Sequence, residues 1–120
     1  MGKTTLVLGA STNPERYSNL AVKRLMAHGH AVIAVGRREG AIGDQLVRTQ
    51  VPPGTIVDTV SVYLNAHNQK AWEQILLDLS PARIIFNPGA ENREFAAKAV
   101  AKGIDVLEAC TLVMLGTGQY

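Results

Sequence analysis

The segment Gly9-Ala10-Ser11-Thr12-Asn13-Pro14 places a glycine, small side chains and three short polar ones just ahead of a helical pattern. Free backbone N–H groups and short donors at the start of a helix hold anions, phosphate above all. Against the G-x-G-x-x-G dinucleotide fingerprint the match is weak. Gly9 takes the first glycine position, but Ser11 stands at the second and Pro14 at the third. A plain polar turn with Asn-Pro chemistry is the bland alternative. The second apolar run past this loop ends in Val35-Gly36-Arg37-Arg38. Sheets that bind NAD put Asp or Glu roughly 20 residues beyond the glycine loop, on the ribose hydroxyls. Two guanidiniums there disfavour NAD. They favour an adenosine with a further phosphate on its ribose: the 2′-phosphate of NADP or the 3′-phosphate of coenzyme A. Two solvated surface arginines are the alternative.

The remaining reactive side chains are few. Cys110 is the single cysteine, so neither an intrachain disulfide nor a Cys-rich zinc site is available, and a reducing compartment fits. A thiol there could exchange with a ligand thiol if its pKa were lowered; otherwise it is a small packing residue. His28 and His30 flank Gly29 at the end of a helix, where imidazole complements the dipole. His67 lies past a strand and reads as a surface residue, and Glu91 and Glu94 complement the start of a helix. No nucleophile–base pair and no metal-ligand constellation is legible. These residues therefore read as a binding site with no catalysis of its own.

The elements that position them follow from hydrophobic pattern. Leu6–Ala10, Ala31–Val35 and Arg83–Asn87 are short apolar runs, the first two stopped by glycine, as in strands buried on both faces. Val57–Leu64 reads as a third strand and Ile104–Leu107 as a fifth. Helices fall between them: one capped by Ser18 or Asn19 and ended by Gly29, one carrying Trp72, Ile75, Leu76 and Leu79, and one carrying Phe95, Ala96, Ala99 and Val100. The stretch from Arg37 to Asp58 reads as a loop, with at most a short strand over Gln45 to Val51, because Pro52-Pro53-Gly54 breaks regular structure. The tail from Cys110 starts helical.

The 120 residues suit one domain, residues 1–120, with an α/β fold: a Rossmann-like, doubly wound, parallel five-stranded sheet of order 3-2-1-4-5. Ligands in such sheets bind beyond the carboxyl ends of the strands, at the switch point. Net charge of +2 and 5% aromatic residues give no basic, aromatic-interleaved stripe for nucleic acid. No apolar run reaches the ~20 residues of a membrane span, and Lys3-Thr4-Thr5 leading into Leu6 is no signal peptide, so a cytoplasmic protein is expected. Leu112, Val113, Met114 and Leu115 mark a candidate homodimer surface.

Nearly the whole chain resembles the CoA-binding domain family, small proteins similar to the N-terminal domain of the succinyl-CoA synthetase α subunit. The resemblance is carried by Gly9 to Asn19, the Val32–Gly40 strand and turn, Asp58–Leu64, and Asn87-Pro88-Gly89-Ala90-Glu91-Asn92. It implies a ligand, coenzyme A or an acyl-CoA, at the C-terminal edge of the sheet. By that likeness Gly9 and Ala10 open the loop on the phosphates, Ser11, Asn13 and Arg16 donate to them, and Tyr17 and Ser18 line the same groove. Gly36, Arg37 and Arg38 lie near the adenosine. Tyr63 and Asn65 border pantetheine or adenine, Asn87 to Ala90 (Gly89 among them) the far side, and Cys110 lies at the same edge. Two features depart from the family. Gly36-Arg37-Arg38 follows the second strand where members often have Asn or Pro, and Phe86-Asn87-Pro88-Gly89 replaces a Gln-containing fourth strand. The competing readings are an NADP-dependent oxidoreductase or nucleotide-sensing domain, and a protein–protein module.

Overall fold

The glycine-ended apolar runs become β1 (Thr5–Leu8) and β2 (Val32–Val35), joined by α1 (Tyr17–Ala27). Every residue of β1 is buried, which explains its unalternating sequence. The chain continues through β3 (Gly40–Ile42), β4 (Gln45–Arg48), β5 (Thr59–Val62), α2 (Ala66–Gln69), a 3₁₀ turn and α3 (Glu73–Leu79). It ends with β6 (Arg83–Phe86), α4 (Arg93–Ala101), β7 (Asp105–Glu108) and α5 (Thr111–Gly116). The structure is a computed structural model and describes residues 2–120.

All seven strands join one sheet of order β3-β4-β2-β1-β5-β6-β7, parallel except for the β3–β4 pair. The expected five-strand order is therefore corrected. The short strand expected over Gln45 to Val51 forms as β4 and pairs with β2, Ala34 opposite Val47. It fills the place that the 57–64 strand was expected to take, and β5 moves to the other side of β1, Leu6 opposite Val60. β3 runs into β4 through the two-residue turn Gly43-Asp44 and pairs with it antiparallel, Gly43 having the left-handed φ of 59° that such a turn needs. Pro52-Pro53-Gly54 acts only after β4 has ended. The connection from β4 to β5 then crosses without a helix, Val51 and Val57 packing against the core.

Both faces of the sheet are covered. Leu6, Leu8, Val60, Val62, Ile84 and Phe86 pack under α3 and α4, with Phe95 edge-on to Phe86 at 5.9 Å between ring centres. Val7, Ala34 and Val47 pack under Val22 and Leu25 of α1 and Leu115 of α5. Leu115 thus turns inward, while Val113 of the same apolar tail is 59% exposed. No helix among the described residues is long and apolar enough to cross a membrane.

The strand starts carry their own cluster, at the edge opposite the β1 loop. Lys3 N donates to His30 Nδ1 at 2.8 Å, His30 packs edge-on to Tyr120, and the Arg83 guanidinium lies 4.3 Å from that ring. A protonated Nδ1 cannot accept the Lys3 bond. Burial, followed by the charges of His28, Lys3 and Arg83, holds His30 below its ordinary 6.5. A base with a lowered native pKa binds protons more readily when unfolded, so its contribution is full above 6.5 and fades as pH falls through the native value. The urea midpoint of the wild type is expected to drop between about pH 7 and pH 5 more than that of His30→Phe, which cannot titrate there. Parallel pH profiles for the two proteins would contradict this.

Candidate functional site

The first loop is shaped by its own side chains. Gly9, with φ of 95°, and Ala10 both donate their N–H to Val35 O, bending the chain off β1 toward β2. Ser11 Oγ then accepts from Asn13 N at 3.1 Å, and Asn13 Oδ1 accepts from Glu15 N at 3.0 Å. These bonds leave the Ser11 hydroxyl proton and the Asn13 amide protons free to donate outward. Arg16 is the N-cap of α1 and makes no side-chain cap bond, and the first turn holds no acidic residue. The 11-residue helix thus presents its positive end without internal neutralisation. Ser18 and Asn19, the expected caps, are instead buried inside the first turn, where Asn19 Nδ2 pins the loop through Ser11 O at 2.9 Å.

This loop forms one wall of an open cleft of about 700 Å³ at the carboxyl ends of the strands. Twelve of the residues singled out from sequence line it together: Gly9, Ala10, Ser11, Asn13, Arg16, Tyr17, Ser18, Arg37, Arg38, Tyr63, Asn65 and Gly89. Leu64, Asn68 and Thr12 complete the lining beside Pro88. Neither Leu64 nor Asn68 is evident from residue type. The signal for Asn68 is the Asn65-x-x-Asn68 spacing of a helix cap: Asn65 caps α2 by accepting from Asn68 N at 2.9 Å, which fixes the turn that carries both. Arg16, Arg37 and Arg38 are exposed. Among the described residues the one ion pair is Lys98–Glu73, so none of these three guanidiniums has a carboxylate partner.

Three of the singled-out residues do not line the cleft. Gly36 instead borders an apolar recess of about 50 Å³ with Leu8, Val35, Leu64 and Trp72, which shares Gly9, Leu64 and Arg37 with the cleft. Asn87 is 1% exposed and its amide is spent inside the protein. It donates to Ser61 Oγ and Val62 O, both at 2.9 Å, and accepts from Thr111 N at 2.8 Å, tying α5 to β5. Cys110 is half-buried at the start of α5 and does not line the cleft. Asn87-Pro88-Gly89-Ala90 is a turn closed by Ala90 N to Asn87 O at 2.8 Å, with Gly89 at φ of 92° as a proline-led turn of this hand requires. Burial pushes the Tyr63 phenol up to about 12, and its hydroxyl oxygen is itself buried, away from the open cleft. His67 is exposed and stands off the cleft.

The fold is found in other solved proteins. A crystal structure described as that of an uncharacterized protein aligns over 100% of this chain and 99% of its own, at 42% identity and a TM-score of 0.96. A hypothetical protein from Pyrococcus horikoshii OT3 aligns over 97% and 83% at 22% identity, TM-score 0.87. A protein from Thermus thermophilus aligns over 99% and 91% at 21% identity, TM-score 0.87. These last two likenesses are of fold alone. No curated protein matches the chain. The family model of the CoA binding domain matches residues 3–116, which include every strand of the sheet and all of the cleft lining. The chain belongs to the CoA binding domain family.

Proposed function

We propose that this protein binds coenzyme A or an acyl-CoA in the cleft, as a cytoplasmic nucleotide-ligand protein without a reaction of its own. The observation that carries the reading is the set of three unpaired guanidiniums, Arg16, Arg37 and Arg38, on one cleft with the uncapped end of α1. That set suits a ligand with phosphates at two places. The pyrophosphate belongs on the Gly9–Asn13 loop and the α1 N-terminus, where N–H groups and the helix dipole favour it. The ribose phosphate belongs with Arg37 and Arg38, which leaves the adenine beside the recess of Val35, Leu64 and Trp72. Pantetheine then runs past Tyr63 and Asn65 toward Gly89. Gly36 and Asn87 support the site from behind, and Cys110 needs no part in it.

NADP shares the ribose phosphate, so it is the ligand to set against coenzyme A. At a hundred times its dissociation constant, a ligand that binds only the folded state adds about 2.7 kcal/mol. Millimolar coenzyme A is expected to raise the melting temperature by several degrees, while NAD and NADPH leave it within error. A shift with NADPH and none with coenzyme A would transfer the assignment to the oxidoreductase or sensor reading.

A further inference from the structure

Gln69 is 0% exposed, a polar side chain sunk beneath the cleft with every amide atom engaged. Its Nε2 donates to Leu64 O at 2.8 Å and to Ala90 O at 2.7 Å, and its Oε1 accepts from Asn92 Nδ2 at 2.9 Å. Only one orientation of the amide satisfies these partners, since turning it over would set an oxygen against two carbonyls. The two carbonyls belong to different walls. Leu64 sits between Tyr63 and Asn65 in the loop after β5, and Ala90 directly follows Pro88 and Gly89 in the loop after β6. The β5–β6 ladder ends at Val62 opposite Phe86, with Asn87 N to Val62 O just beyond it. Past that point Gln69 ties one loop to the other. Asn92 fixes Gln69 in turn while its Oδ1 caps α4 through Phe95 N at 3.1 Å.

We infer that Gln69 is a positioning residue that sets the spacing of the two cleft walls on the side away from the arginines, and so governs the grip on the pantetheine half of the ligand. This rests on the coenzyme A reading and on the orientation given above. The backbone of both loops is pre-set before ligand arrives, so the binding energy is not spent on ordering them. The arginine side is built on the β1 and β2 loops, to which Gln69 makes no hydrogen bond.

The test titrates coenzyme A and adenosine 3′,5′-bisphosphate, which lacks pantetheine, into the wild type, Gln69→Met and Asn92→Asp. Methionine keeps the shape and removes all three bonds. Aspartate keeps the α4 cap acceptor but loses the donor to Gln69, and it provides a readout if the first variant fails to fold. Both variants are expected to bind coenzyme A about three- to ten-fold more weakly. Adenosine bisphosphate should change by less than about two-fold, a split that a loss of general stability would not produce. Equal losses for both ligands, or no loss for either, would overturn the positioning role. A wild type that binds neither ligand would remove the coenzyme A reading and this inference with it, and the wild-type titration alone reveals that case.

Discussion

Gly36→Ala is expected to cost about 3 kcal/mol of stability, at the top of the range for forcing an extra methyl into a packed site. A Cβ at this position would lie 2.1 Å from Ala10 O and 3.1 Å from Ala10 C, both backbone atoms that cannot swing aside. The φ of Gly36 is not in the left-handed region, so the cost is contact rather than torsion. Gly36 is also held in place by its own N–H to Arg48 O at 2.8 Å, while Gly9 and Ala10 are bonded to Val35 O. The ends of β1 and β2 would have to part. That moves the phosphate loop away from Arg37, so coenzyme A affinity should fall together with stability. Gly54→Ala is the comparison: it carries a φ of 76° with nothing within 4 Å of the added carbon, and it should cost only the roughly 1–2 kcal/mol of a left-handed residue. Urea denaturation of the three proteins measures both. A Gly36→Ala midpoint no lower than that of Gly54→Ala would show that the loops yield easily and that the close approach is not a constraint.

The same close approach shows how far the sequence could be read. Glycine after an apolar run located the ends of β1 and β2, and hence the loops on which the cleft is built, because parallel buried strands and glycine-stopped turns leave a local record. The β3–β4 hairpin left half of one: β4 lies in the short strand expected over Gln45 to Val51, and β3 left none. β3 has three residues, and only Ile42 among them is buried, too few to show a period. Its turn signal, Gly43-Asp44, was overshadowed by Pro52-Pro53-Gly54 a few residues later. The strand order went astray for that reason alone, since counting β4 as the third strand restores the switch point beside β1. The site was legible where residue type and position agree, as in Arg37 and Arg38. It was not legible where a polar residue turns inward. Asn87 looks like a donor at the ligand edge and is a buried brace. Gln69 looks like one more polar residue in Asn68-Gln69-Lys70 and is the tie between two loops. Burial of a single amide depends on the tertiary course of both loops, and nothing in a 3.6- or two-residue period records it.

Dephospho-CoA, which differs from coenzyme A only by the missing 3′-phosphate, is expected to bind the wild type about ten- to a hundred-fold more weakly. A charge-assisted contact is worth about 1.5–3 kcal/mol, and each 1.4 kcal/mol is tenfold. Arg37 and Arg38 line the cleft with no carboxylate in ion-pair contact, so both guanidiniums are open to the phosphate. Replacing both with alanine should weaken coenzyme A by a similar factor and leave dephospho-CoA nearly unchanged. Because both side chains are exposed, the coupling should shrink as salt is raised from about 0.05 to 0.5 M, where the screening length falls to a few ångströms. Calorimetric titration of the two proteins with the two ligands closes the thermodynamic cycle and isolates the arginine–phosphate term. Equal losses for both ligands would move the guanidiniums to another part of the nucleotide, the pyrophosphate being nearest. No loss for either would make them solvated surface charges, and the preference for a phosphorylated ribose would then have to come from Arg16 and the first loop.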